Sequence, residues 1–323
     1  MKFELNGVER QKLKLPGISS TLKGFCSFTP SDLNELENSA WDLKHENANS
    51  DFIRNNKFSG CIQLKHLFGF CEDYRKILLN CNQNLILNRS STDFDAILCT
   101  GVTESVAKKL TIVLKKVIWK MPVIRVSDRE KLKLIKVLDS RKPLTCAYRT
   151  WDLYEYPVLP LNKSHSWTVK SSNLLEKPRF VIIGLQTSRK NDLFRSSAIF
   201  DSCKIKNLKV YLNSEMFPYE SFRVDFPNNL TSIVYKAYTD FQKSYYARGQ
   251  TQPLLSKKNF SHHGPIIVVD LSRQNDNVKA STVDLRLEFE TEDSIPEHTA
   301  AYCLILHDQI ISYNPFNVDV RKM

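Results

Sequence analysis

Hydrophobic and polar positions alternate most cleanly over Thr282–Thr291. Val283, Leu285, Leu287 and Phe289 fall on one side, and Asp284, Arg286, Glu288 and Glu290 on the other. A period of two predicts a strand with one face in a core and one face in water. β-rich runs also occupy Leu144–Tyr156, His165–Ser171, Arg179–Thr187, Ile205–Asn213 and Tyr302–Tyr313, and PIIVVDL (Pro265–Leu271) is nearly all apolar. Pro157, Pro160, Pro178 and Pro218 mark turns between several of them. One long helix is predicted over Asn229–Ala247, where Leu230, Ile233, Val234, Ala237, Tyr238, Phe241 and Tyr245 form a single apolar stripe.

The first half has weaker signals. Gly17–Thr29 reads as a strand between Pro16 and Pro30, and Ser31–Asn38 as a short helix with Ser31 as N-cap. Asn38–Lys57, with Asn38, Asn47, Asn49, Asn55 and Asn56, reads as a long polar loop. Cys61–Phe68 is strand-like and ends at Gly69. A short helix is expected over Cys71–Asn80, with Tyr74, Ile77 and Leu78 on one face, and short strands over Asn84–Asn88 and Asp95–Cys99. Ala107–Lys120 is a long β-rich run, with Leu110, Ile112 and Leu114 alternating against Thr111 and Val113; Pro122 breaks it and Val123–Val126 resumes it. Ser127 and Glu130 form a capping-box pattern that opens a helix over Asp128–Leu138, with Leu132, Ile135 and Leu138 on one face.

The chain is therefore expected to be mainly β, with a few helices inserted in strand connections. Regular alternation of strand and helix is missing, which disfavours a doubly wound parallel sheet. A β-sandwich or a pair of jelly rolls is the physical expectation. Length agrees with two units, since 323 residues exceed the usual size of one domain.

Composition narrows the function. Nine glycines in 323 residues cannot supply repeated phosphate-binding loops. The longest apolar run, Phe180–Leu185, is strand-sized and far short of a membrane span. The N-terminus is charged from the start and has no secretory h-region. Eight cysteines are scattered without a Cys-x-x-Cys pair, as expected for reduced thiols of an intracellular protein, cytoplasmic or nuclear. Neither a membrane partner nor a small-molecule substrate is expected.

Of the net charge of +11, residues 106–142 hold +9, from 12 basic and 3 acidic side chains. Lys108, Lys109, Lys115, Lys116, Lys120 and Arg125 are the candidate contacts to nucleic acid or another polyanion. The competing reading is a solvated strand face followed by a solvated helix face. Basic residues are interleaved with Leu, Ile, Val and Trp, so the segment reads as folded rather than as a tail.

Catalytic candidates are weak. Cys303 and His307, four apart on an extended chain, would stand about 13 Å apart, too far for a thiol–imidazole pair; a core cysteine and a turn histidine explain them. His262 and His263 precede a Gly-Pro turn and would point oppositely. Asp270 and Asp284 lie on strands, and Asp284 is solvent-facing by alternation. The seven histidines are too scattered for a cupin-like metal site. No catalytic residue, cofactor or metal is expected. Tyr148, Trp151, Tyr154 and Tyr156, with Arg149, fit strand-core packing better than a base-stacking platform.

Ten stretches, in order, resemble one family. They include ELNGVERQKLKLPGISSTLKGF (4–25), HLFGFCEDYRKILLN (66–80), NLILNR (84–89), VIWKMP (117–122), YRTWDLYEYPVLP (148–160), HSWTVKSSNLLEKPRFVIIGLQT (165–187), KNLKVYLNSEMFPY (206–219), PIIVVDLS (265–272), STVDLRLEFE (281–290) and AYCLILHDQIISYNP (301–315). The chain resembles the double jelly-roll-like domain proteins of arthropod genomes, similar to the major capsid proteins of Polinton (Maverick) elements and adintoviruses. The resemblance implies two tandem jelly rolls, the first over 1–143 and short of its opening strands, the second over 144–323. It implies a non-enzymatic structural protein of capsid-like, endogenised or domesticated character. Self-association to a trimer or higher state would follow, with Trp151, Tyr154, Phe217 and Tyr219 as candidate subunit contacts. The alternative is a nucleic-acid-binding module using residues 106–142.

Overall fold

The computed structural model describes residues 1–41, 56–172, 178–274 and 283–323. In chain order, β1 (Lys2–Leu5), β2 (Val8–Lys12), α1 (Pro16–Ser27), α2 (Leu33–Glu37), α3 (Gly69–Asp73), β3 (Gln83–Ile86), α4 (Glu104–Ala107) and α5 (Asp128–Asp139) precede the main β region. Then come β4 (Leu144–Tyr156), β5 (Ser164–Ser172), β6 (Pro178–Thr187), β7 (Ile205–Leu212), β8 (Glu215–Phe217), α6 (Ser232–Tyr246), α7 (Lys257–His263), β9 (Ile267–Asp270), β10 (Val283–Thr291), β11 (Thr299–Asn314) and β12 (Asp319–Lys322).

From β4 to β11 the strands sort into two antiparallel sheets, β4-β11-β6-β9 and β5-β10-β7-β8. Numbered one to eight, those orders are 1-8-3-6 and 2-7-4-5, the winding of a jelly roll. β12 adds to the far end of β11, and β1–β3 form a separate sheet of order β2-β1-β3. The molecule is mainly β with several antiparallel sheets and a few helices, as the sequence predicts.

The two kinds of hydrophobic pattern have a common cause. β10 and β7 alternate buried and exposed residues because one face is wet. β6 and the first nine residues of β11 are buried almost throughout. Their second face is covered by helices: Leu22 of α1 lies against Gly184, and Phe180 meets Phe241 and Tyr245 of α6 edge to face. The Tyr238 hydroxyl donates to the Phe25 carbonyl at 2.9 Å, tying α6 to α1. The structure is thus three layers deep, with the β4-β11-β6-β9 sheet in the middle.

Several expectations for the first half are corrected. Gly17–Thr29 is helical, not a strand: Pro16 is a helix-starting proline, and Ile18, Leu22 and Phe25 recur at helical spacing. Ser31 is not the cap, since Asp32 Oδ2 accepts from both the backbone N–H and the hydroxyl of Thr29 at 2.8 Å. Cys61–Phe68 holds only a 3-10 turn at Leu64–His66, and Gly69 opens a helix rather than closing a strand. The helix expected over Cys71–Asn80 stops at Asp73. Asp95–Cys99 is not a strand but overlaps the 3-10 turn Phe94–Ala96. Ala107–Lys120 and Val123–Val126 are not strands either, because no neighbouring strand bonds their backbone. The loop expected over Asn38–Lys57 falls largely on 42–55, outside the described residues. Conversely, β1, β2, β8, α7 and β12 are too short to stand out by periodicity.

A buried latch joins the first half to the barrel. A Cβ on Gly69 would lie 1.7 Å from the Arg149 carbonyl oxygen, so α3 sits on β4 only with glycine there. Next to it, the Asp73 carboxylate accepts from Arg149 Nε at 2.9 Å and from its backbone N–H at 2.7 Å. Glu72 takes Lys23 Nζ at 3.0 Å and the Tyr246 hydroxyl at 2.7 Å, while Lys23 lies 4.5 Å from the Trp151 ring centre. Burial pushes the Asp73 carboxyl up, but the hydrogen bonds and charge of Arg149 outweigh it and hold the group below the usual carboxylate range. His66, edge-on to Phe28, is lowered to about 4 by burial and then by the nearby Lys65 and Lys23 charges.

Three outcomes follow from this latch. Gly69→Ala is expected to cost about 1–3 kcal/mol through overpacking, read as a lower urea midpoint. Asp73→Asn is expected to cost about 2 kcal/mol at neutral pH. The wild-type advantage over this variant is full above about pH 4, the unfolded value, and vanishes as pH falls through the lower folded value. Because folded His66 takes its proton at lower pH than the unfolded imidazole, stability falls between about pH 6.5 and the folded value of about 4. His66→Gln should flatten the midpoint-against-pH curve over that window.

Candidate assembly surface and basic strap

β4 and β6 both run antiparallel to β11, so their C-terminal ends meet its N-terminal end. Three loops therefore gather at one end of the barrel. Leu159 N–H donates to the Thr299 carbonyl at 2.8 Å, Ser188 N–H to His298 at 3.0 Å and Ile295 N–H to Asn162 at 3.2 Å. Val158 and Leu161 on the first of these loops and Phe194 on the second are exposed. Large apolar side chains exposed on loops at one end of a barrel mark a candidate contact surface.

The same end holds the start of a long strap. Cys99 N–H donates to the Leu193 carbonyl at 2.7 Å, and Cys99, Ala107 and Leu193 form a small buried cluster with Phe94 and Ile97. At the opposite end, Arg141 lies over the Phe316 ring at 4.4 Å and its carbonyl accepts from Asn314 Nδ2 at 3.1 Å. Between these pins the chain passes β3: Asp93 Oδ2 accepts from Ile112 N–H at 2.8 Å, and Gln83 Nε2 contacts Met121 Sδ at 3.7 Å. Residues 113–126 make no backbone hydrogen bond among the described residues. α5 follows, capped by the Ser127 hydroxyl as the sequence predicts.

Lys108, Lys109, Lys115, Lys116, Lys120 and Arg125 are all exposed along this strap. Among the described residues one of the six is in an ion pair, Lys108 with Glu104 at 2.6 Å. Between them Val113, Leu114, Val117, Ile118, Val123 and Ile124 are also exposed, Val123 by 85%. That second feature is visible in the sequence only once the strand assignment is dropped.

The candidate subunit contacts divide. Trp151 is fully buried under Lys23, and Phe217 is buried against the barrel core, so neither reaches a surface. Tyr154 is half-buried beside Lys14. Tyr219, tilted against Phe217 at 5.7 Å, is 71% exposed. Sequence reasoning missed Val158 and Leu161, which Pro157 and Pro160 disguise as turn residues, and Phe194, which lies in an irregular loop.

The chemical candidates stay apart. Cys303 is buried inside β11, and His307 lies on the same strand rather than in a turn, because β11 continues to Asn314. Burial pushes the Cys71, Cys81 and Cys203 thiols up to about 11, the opposite of an activated nucleophile. His262 and His263 end α7 instead of occupying an extended turn. Asp270 and Asp284 are both exposed, at the end of β9 and on the wet face of β10. Among the described residues no group of three His, Cys, Asp or Glu could hold a metal ion, and no helix is long and apolar enough to cross a membrane.

The family model described as a double jelly roll-like domain matches residues 1–311. No curated protein sequence is matched. Among solved structures, a chain of the Sputnik virophage is similar at 12% identity and a TM-score of 0.36, over 56% of this chain and 39% of that one. The mavirus major capsid protein is similar at 12% identity and a TM-score of 0.31, over 55% and 41%. A chain of the PBCV-1 virus capsid is similar at 6% identity and a TM-score of 0.33, over 58% and 52%. The chain therefore spans about two fifths of the length of the first two.

Proposed function

We propose that this chain, which belongs to the double jelly-roll-like domain family, is a non-enzymatic structural protein that works by associating with copies of itself. The observation that carries the reading is the end of the barrel where Val158 and Leu161 on one loop and Phe194 on a second stand exposed, both loops being bonded to the 295–299 segment. Loops fixed by backbone bonds present apolar side chains at little entropic cost, which is what a specific contact needs. Tyr219 adds an exposed aromatic of the type that anchors interfaces. The scattered histidines, carboxylates and elevated thiols support a role in contact rather than catalysis. An origin as an endogenised copy of an element-encoded capsid protein of the Polinton type fits the same reading.

A nucleic-acid-binding module on residues 106–142 ranks second. Its six cations are accessible, but the aliphatic side chains between them have nothing to gain from a phosphate backbone.

Light scattering at micromolar concentration is expected to give a trimer or larger species. Val158→Asp with Leu161→Asp should shift that species toward monomer while the circular dichroism spectrum and melting curve stay unchanged. A wild-type chain that remains monomeric throughout would overturn the assembly reading.

A further inference from the structure

The strap poses a chemical problem of its own. Its two ends are held at opposite ends of the barrel, by the Cys99–Leu193 bond and by the Arg141–Phe316 contact. Over residues 113–126 the backbone is unpaired among the described residues. Val113, Leu114, Val117, Ile118, Val123 and Ile124 are 60–85% exposed. Leu132 and Ile135 extend the apolar surface onto α5 at 61% and 40% exposure. A surface of that kind on a folded protein meets something other than water.

Charge selects the occupant. Residues 106–142 carry +9 of the chain's +11, which leaves +2 for the remaining residues. A second copy would set like charge against like charge if strap met strap, and elsewhere carries a net +2 rather than an acidic excess to match it. A nucleic acid would neutralise Lys115, Lys116, Lys120 and Arg125 but leave the aliphatics in water. An anionic bilayer surface answers both needs. Aliphatic side chains enter the boundary between headgroups and acyl chains, while lysine stems lie along it and place their ammonium groups at the headgroups.

We propose that the strap over residues 106–142 is a docking surface for an anionic lipid bilayer. The sequence-based expectation of no membrane partner rested on the missing transmembrane span, which a peripheral surface does not need. The proposal is independent of self-association.

The test is flotation of the full chain with phosphatidylcholine vesicles, with and without phosphatidylserine, alongside binding to heparin and to duplex DNA. The wild-type chain should float with the phosphatidylserine vesicles and stay behind with phosphatidylcholine alone. The triple substitution Val117→Ser, Ile118→Ser, Val123→Ser should weaken flotation by about tenfold or more and leave heparin binding in place. Lys115→Glu, Lys116→Glu, Lys120→Glu should weaken both. Because the substituted side chains are all exposed, melting curves should be unchanged for both variants. Absence of flotation overturns the proposal. Flotation unaffected by the serine substitutions also overturns it and assigns the strap to polyanions. Loss of self-association in the serine variant without vesicles overturns it in favour of a second copy.

Discussion

Strand β11 must meet β4 along one edge and β6 along the other before any layer of this molecule can close. Its ladder with β4 runs from Ala301 to Tyr313, and its ladder with β6 from Thr299 to His307. Both faces of that central sheet are then covered, one by the β5-β10-β7-β8 sheet and the other by α1, α3 and α6. Burial on both faces removes the usual choice between an inside and an outside. Over its first nine residues the strand must be apolar or satisfied, and Thr299 shows how: its hydroxyl donates to the Pro296 carbonyl at 2.7 Å and pairs with Thr187. α1, α3 and α6 are held by this sheet, which is the strand surface they cover.

How much was legible follows from the same physics. Long strands with one environment per face announce themselves, so the strand assignments from Leu144 to Tyr313 hold within a residue or a few at each end, as does the Ser127-capped helix. Strand and helix signals become ambiguous where short apolar runs serve tertiary contacts. Pro16 reads equally as a strand boundary and as the first residue of a helix, and only the partner surface of Gly184 and Phe200 decides for the helix. Gly69 reads as a terminator, yet its role is to let α3 touch the backbone of β4. β-branched residues over 107–126 promise a strand, but a strand needs a bonded neighbour, which no local pattern encodes.

The candidate surfaces were legible to different degrees. Cation positions along 106–142 follow directly from charge counting, because lysine and arginine are seldom buried. Aromatic anchors do not: Trp151 and Tyr219 look alike in sequence, and one fills the space under Lys23 while the other stands in water. The latch residues were hidden most deeply. Lys23, Glu72, Asp73 and Arg149 each look like ordinary surface charges, and only the meeting of α1, α3, β4 and α6 makes them a buried network.

The place of β11 in the chain has a kinetic consequence. It is the last of the eight barrel strands in chain order, yet it belongs between the first and third. Until the ribosome has delivered it, β4 and β6 have no partner on the edges that it fills, and their apolar runs stay open to intermolecular pairing. Closure must then happen in one late step that joins contacts more than a hundred residues apart, the slow regime of high contact order. Until that step is complete, folding of this chain competes with pairing between molecules along the open edges of β4 and β6.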